Sequence, residues 1–121
     1  MKTGVTGIKR ILNAFKYSFD GLKAVYKSEE AFRQDLLISI IMFIILIIFP
    51  FSFIEKILLF STIFAIIFAE LTNTAIEFII DRISDEIHPL SKIVKDIGSS
   101  LVFVSFIYLI FVWTIILFRT I

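Results

Sequence analysis

The chain has 121 residues, of which 59 % are hydrophobic, and its mean hydropathy is +1.00. An ordinary soluble domain of this size is less apolar, so we expect a lipid bilayer around most of the protein. The formal net charge is only +1, and the chain has no cysteine, which excludes disulfides, cysteine-ligated zinc, iron–sulfur clusters and thiol catalysis.

An amphipathic pattern occupies about residues 5 to 27, where apolar residues recur at three- and four-residue steps with lysines and arginines between them. It predicts a helix that lies on the anionic cytoplasmic leaflet or packs on the protein's own bundle. The first 30 residues carry charges throughout, so we expect no signal peptide and a retained N-terminus.

Three charge-free stretches follow: Leu36 to Ile54, Ile57 to Ala69, and Ile97 to Phe118. The first and third reach the ~20 residues that cross a bilayer, and the middle one does so only if its helix continues through Glu70. Proline ends the first helix and begins the third. We therefore predict an all-α membrane protein with one domain, residues 1–121, and spans at about 30–49, 53–82 and 90–118.

The turn between the first two spans is expected to be short, because Ser52 and Glu55 have the spacing of a capping box. Residues 1–35 hold seven of the twelve lysines and arginines, whereas this turn holds only Lys56. The positive-inside rule then places the N-terminus and the 81–96 loop in the cytoplasm. Trp113, near the outer end of the last span, is expected to be an interfacial anchor.

The segment AELTNTAIEFIID, residues 69–81, places Glu70, Asn73, Glu77 and Asp81 in an apolar helix. At 100° per residue these four lie at about 0°, 300°, 340° and 20°, so they form one narrow polar stripe. A charge at membrane depth costs ~2.5 to 3.5 kcal/mol, so the stripe should face protein or water. A purely structural role is the alternative, although stacked glutamates repel each other unless a cation or a proton lies between them.

Mg²⁺ suits these oxygen donors, because it often takes one or two carboxylates and leaves its other positions to water and phosphate. Glu29 precedes the first span, and Lys95 and Asp96 begin the third, at the expected level of Glu77. Carboxylates, an amide and a lysine at one interface meet the requirements of phosphoryl transfer. A proton or ion pathway is the competing hypothesis. The single histidine, His88, precedes Pro89 and is expected to begin a helix and not to bind a ligand.

The motifs together resemble the prokaryotic diacylglycerol kinases over nearly the whole chain. They are Glu70-x-x-Asn73-x-x-x-Glu77 with DRISDEIHPL, KDIGSS, EEAFRQD at 29–35 and TGIKRILNAFKYSFDGLKA at 6–24. The resemblance implies a homotrimer of three-span subunits with an N-terminal surface helix. Each active site would be shared between neighbours at the cytoplasmic face of the inner membrane.

The resemblance also implies residue roles. Glu70 would take the proton from the lipid hydroxyl, Glu29 and Glu77 would hold Mg²⁺ with the ATP phosphates, and Asn73 would support the site. Ser99 and residues near Glu70 would border the lipid. The remaining nucleotide contacts would be Arg10, Tyr17, Asp81, Glu86 and His88, with Lys95 and Asp96 at the phosphates.

We therefore expect ATP-dependent phosphorylation of diacylglycerol to phosphatidic acid in phospholipid recycling, with membrane lipids and no nucleic acid as partners. HPLSKIVKD is more similar to the branch of the same family that phosphorylates undecaprenol, which is the alternative substrate. EEAFRQD, DRIS and DIGSS are more similar to the diacylglycerol branch. A non-enzymatic ion pathway or assembly subunit is the more distant alternative.

Overall fold

The computed structural model describes residues 6–83 and 85–121, and these form helices and no strand. The prediction of an all-α protein is confirmed. The predicted start of the first helix, at about residue 5, lies outside the described residues. The helices are α1 (Gly7–Ser28), α2 (Glu30–Ile48), α3 (Phe53–Ile83) and α4 (Pro89–Thr120), which end within two residues of the predicted bounds.

The apolar surface of the chain faces outward, as expected for a membrane protein. Within the described residues, α2 and α4 are long and apolar enough to cross a bilayer, with mean hydropathies of 2.2 and 2.8. Large apolar side chains such as Phe53 and Phe118 are each 78 % exposed, which suits contact with lipid. α3 carries the polar stripe, and its crossing of the membrane remains a prediction.

α3 is the central helix of the protomer. It packs antiparallel against α4 over most of its length and against α2 on another side, whereas α1 packs mainly against α2. Buried apolar side chains from α2, α3 and α4 meet near Pro50, and we call this end of the bundle the Pro50 end. The core there consists of Leu46, Phe51, Leu59, Ile63, Trp113 and Ile116.

The capping box at the start of α3 is confirmed. The backbone N–H of Ser52 donates to Glu55 Oε1 at 2.8 Å, and the N–H of Glu55 donates to Ser52 Oγ at 3.2 Å. The other oxygen of Glu55 accepts from Arg119 Nε at 2.5 Å. One carboxylate therefore caps α3 and joins it to the end of α4.

The interpretation of Trp113 as an interfacial anchor is wrong. Its side chain is only 7 % exposed and belongs to the core of the Pro50 end. Its indole N–H donates to Thr62 Oγ1 at 2.9 Å, and the Thr62 hydroxyl donates to the carbonyl of Leu59. The buried indole N–H needs an acceptor, and Thr62 supplies it from the neighbouring helix.

Thr62→Val should destabilise the fold by about 1 to 2 kcal/mol, because it leaves the indole N–H of Trp113 buried without an acceptor. Denaturant unfolding in detergent micelles, followed by tryptophan fluorescence, measures this change. The matched control is Thr72→Val, since the Thr72 hydroxyl bonds only to the Phe68 carbonyl of its own helix. Equal losses in the two variants would contradict a role for the bond between helices.

Candidate active site

The polar stripe lies beside both neighbouring helices. Glu70 is buried, with 8 % of its surface exposed, and the Asp35 side chain of α2 lies within hydrogen-bonding reach of it. Glu77 and Glu29 also act on Glu70 electrostatically. Negative charges grouped in this way repel one another, which favours the binding of a cation beside them.

Asn73 connects the stripe to α4. Its Nδ2 donates to Glu77 Oε1 at 3.1 Å, one turn further along α3. Its Oδ1 is buried against Gly98 of α4 and has no hydrogen-bond partner among the described residues. The sequence-based prediction that Asn73 supports the site therefore has a direct contact behind it.

Glu29 occupies the corner between α1 and α2. It is both the C-cap of α1 and the N-cap of α2, and its backbone is extended. Its N–H donates to the Val25 carbonyl at 2.9 Å. Arg33 Nη1 donates to the carbonyls of Tyr26 and Lys27 at 2.6 and 3.2 Å. Arg33 thereby satisfies free carbonyls at the end of α1 and fixes the corner that carries Glu29.

Two ion pairs lie where α3 and α4 approach residues 85–88. Lys95 Nζ donates to Asp81 Oδ1 at 2.8 Å, which links α4 to the end of the stripe. Lys92 pairs with Asp96 at 2.7 Å along α4. His88 caps α4, because its Nδ1 accepts from the Leu90 N–H at 3.1 Å. The helix-start role predicted for His88 is confirmed.

A cavity of about 370 Å³ opens beside these pairs, and we call it the turn cavity. Its polar lining includes four carboxylates and two ammonium groups, so its formal charge is negative. A polyphosphate would therefore enter with a counter-cation. The turn cavity brings together five of the predicted nucleotide residues, and they are Asp81, Glu86, His88, Lys95 and Asp96.

The predicted ligands Glu29 and Glu77 are compatible with a Mg²⁺ ion whose other coordination positions are filled by phosphate and water. Within residues 6–83 and 85–121, no group of three or more acidic, histidine or cysteine side chains is arranged to hold a metal ion alone. Mg²⁺ commonly takes only one or two carboxylates from a protein, so this finding does not conflict with Glu29 and Glu77 as the predicted ligands. Asn73 already orients one of these two carboxylates.

Three predicted site residues lie apart from these groups within the protomer. Arg10 and Tyr17 are exposed on α1, and Arg10 lines a separate shallow depression of that helix. Ser99 is exposed on α4. An apolar groove of about 480 Å³ between α3 and α4 includes Ala69 and Thr72 in its lining, but neither Glu70 nor Ser99.

Sequence reasoning assigned no role to Asp35, although it belongs to the EEAFRQD motif. It is half-buried at the start of the apolar part of α2, and it faces Glu70. The signal was available in the sequence, because Asp35 is the last charge before a 19-residue stretch without one. Its partner could not be read from the sequence, since that pairing depends on how α2 and α3 are aligned.

Residues 16–117 match the family described as prokaryotic diacylglycerol kinase. A diacylglycerol kinase of Pseudomonas aeruginosa is 40 % identical over 114 residues, covering 94 % of this chain and 93 % of that protein. The diacylglycerol kinase of Escherichia coli K12 is 36 % identical over 117 residues, with 97 % and 96 % covered. That of Haemophilus influenzae is 38 % identical over 113 residues, with 93 % and 96 % covered. The chain therefore belongs to the prokaryotic diacylglycerol kinase family.

Proposed function

We propose that the protein transfers the γ-phosphoryl group of ATP to the free hydroxyl of diacylglycerol and forms phosphatidic acid. The single observation that carries this proposal is the polar stripe, which joins the buried Glu70 to the turn cavity through Asn73, Glu77 and Asp81. A lipid hydroxyl can approach one end of the stripe from the membrane, and a nucleotide can approach the other end from water. The curated relatives, all named diacylglycerol kinase, support the same acceptor.

Glu70 acts as the general base in this mechanism. It accepts the hydroxyl proton while the lipid oxygen attacks the γ-phosphorus, and ADP leaves with the electron pair of the broken P–O bond. Burial keeps competing water away from Glu70, and Asp35 of α2 lies beside it. The products are a lipid phosphate and ADP.

Glu29 and Glu77 would hold Mg²⁺ together with the ATP phosphates. A bound ion would supply positive charge against the negative charge of the phosphates. Asp81 holds Lys95 at the mouth of the turn cavity, where its ammonium group can reach a phosphate. Asp96, Glu86 and His88 complete the lining around the nucleotide.

The proposed location is the cytoplasmic face of the inner membrane, with the N-terminus and the turn cavity on that side. The excess of lysine and arginine in residues 1–35 supports this orientation. We further propose a homotrimer with shared sites. Arg10 and Tyr17 lie on α1, which packs mainly against α2. In the trimer, these two residues of one protomer would reach the turn cavity of a neighbouring protomer.

Glu70→Gln should lower kcat about 10²- to 10⁴-fold and leave the affinity for Mg-ATP largely unchanged, because it removes only the proton acceptor. Glu77→Gln should instead weaken Mg-ATP binding. Transfer of labelled phosphate in mixed micelles gives kcat and KM for each variant. Asp20→Asn, which changes an exposed carboxylate of α1, is the control. The reverse pattern would overturn the assignment of base and metal ligand.

Diacylglycerol should be phosphorylated in preference to undecaprenol when both are offered at equal mole fraction in the same micelles. Preference for undecaprenol would leave the mechanism intact and change the substrate. Transfer to neither lipid, combined with ion flux in vesicles that Glu70→Gln abolishes, would contradict the kinase proposal in favour of an ion pathway.

Mixing Arg10→Ala protomers with Glu70→Gln protomers should restore activity, to roughly a quarter of wild type for random trimers, if α1 of one protomer serves the α3 site of another. Mixing Glu70→Gln with Glu77→Gln should restore none, because both side chains lie on the same face of one helix. Equal activities of the two mixtures would count against shared sites.

A further inference from the structure

Gly98 of α4 faces the amide of Asn73 on α3, and the space between them is too small for a side chain. Gly98 is buried. A Cβ atom at this position would overlap Asn73 Oδ1, whereas Asn73 Cγ and Ile76 Cδ1 would lie at ordinary contact distances of 3.4 and 3.8 Å. The missing side chain of Gly98 therefore accommodates one atom, the amide oxygen of Asn73.

The two ends of the Asn73 amide have different surroundings, and these fix its orientation. Nδ2 donates to Glu77 Oε1 at 3.1 Å, and the reversed amide would place two oxygen atoms face to face. Oδ1 then faces Gly98 and accepts no hydrogen bond within the described residues. A Cα–H of Gly98 lies where the Cβ would be and so points toward this oxygen, and such contacts partly compensate a buried acceptor.

We propose that Gly98 is a positioning residue for Glu77 and acts through Asn73. Its lack of a side chain lets the Asn73 amide lie between α3 and α4, and the amide in turn holds the Glu77 carboxylate toward the nucleotide phosphates. The proposal rests on the function of Glu77 as a metal ligand proposed above. It adds a glycine on α4 to a site whose proposed metal ligands come from α3 and from the corner between α1 and α2.

An alanine at position 98 cannot be accommodated by reversing the amide. A half-turn about χ2 of Asn73 brings Nδ2 to the place of Oδ1, so the overlap persists. Relief requires the Asn73 amide to move, by a change in χ1 or by a partial rotation about χ2, and either movement takes Nδ2 away from its hydrogen bond to Glu77. Asn73 is half-buried, and the overlapping atom lies at the end of its flexible side chain. The fold therefore tolerates this movement, while the Glu77 carboxylate loses its orientation.

Gly98→Ala should weaken divalent-metal binding about 10- to 100-fold, the range seen when a group that orients a ligand is lost. Electron paramagnetic resonance of free Mn²⁺ measures this with the intact protein in micelles and a non-hydrolysable ATP analogue. In steady-state assays KM for Mg-ATP should rise more than kcat falls. Gly21→Ala is the matched control, because it makes the same change within a helix and its Cβ meets no atom within 4 Å.

A double-mutant cycle separates this mechanism from simple helix crowding. Asn73→Ala removes the atom that Gly98→Ala would displace, so adding Gly98→Ala to Asn73→Ala should cause no further loss of Mn²⁺ binding. If Gly98→Ala alone fails to fold, the double variant should recover folding for the same reason. A further loss in the double variant, or failure of both variants to fold, would overturn the proposal.

The Glu77→Gln variant distinguishes failure of the metal-ligand role of Glu77 from failure of the positioning role of Gly98. Weak Mn²⁺ binding by Glu77→Gln with normal binding by Gly98→Ala would overturn the role of Gly98 and leave the function of Glu77 intact. Normal binding by Glu77→Gln would remove the metal role of Glu77, and the inference about Gly98 with it.

Discussion

A carboxylate cannot face hydrocarbon without a large cost in free energy, and the arrangement of α3 follows from that constraint. Four polar residues follow one another down a helix that is otherwise apolar. The helix can satisfy them only by placing α2 and α4 on either side of the stripe. Asp35 and Gly98 mark where these neighbours meet it, and Lys95 pairs with its last member.

The two ends of the bundle differ in what holds them together. Near Pro50, the helices are joined by a closed apolar core, by the bond between Trp113 and Thr62, and by Glu55, which binds Arg119 and caps α3. Near residues 85–88 the contacts are ion pairs around a cavity. An apolar core therefore holds one end of the bundle, and polar side chains line a cavity at the other.

The proposed chemistry uses helix faces where soluble kinases use loops. A glycine-rich loop presents backbone N–H groups to phosphates, but a membrane helix has already used its N–H groups in the ladder of the helix. Side chains must therefore supply the contacts, and their positions depend on how the helices are aligned. This is the physical reason why Gly98, which has no functional group of its own, can influence a carboxylate on another helix.

Much of the fold was predictable because its causes are local. Charge-free runs and two prolines predicted the helix bounds, and the spacing of Ser52 and Glu55 predicted the capping box. The stripe on α3 was also predictable, since helical periodicity alone places its four residues on one face. The motifs in turn identified the family, and the comparison with known relatives confirmed it.

Contacts between helices were not predictable in the same way. The sequence analysis assigned no role to Asp35 beside Glu70 or to Gly98 beside Asn73, and it misassigned Trp113 as an interfacial anchor. Each of these depends on the rotation and alignment of one helix against another, which packing over the whole bundle sets. The sequence by itself therefore determined the helices, the family and which polar residues share one face of α3. Only the tertiary structure decided which side chains meet, because a contact between helices is a property of two surfaces and not of either sequence segment alone.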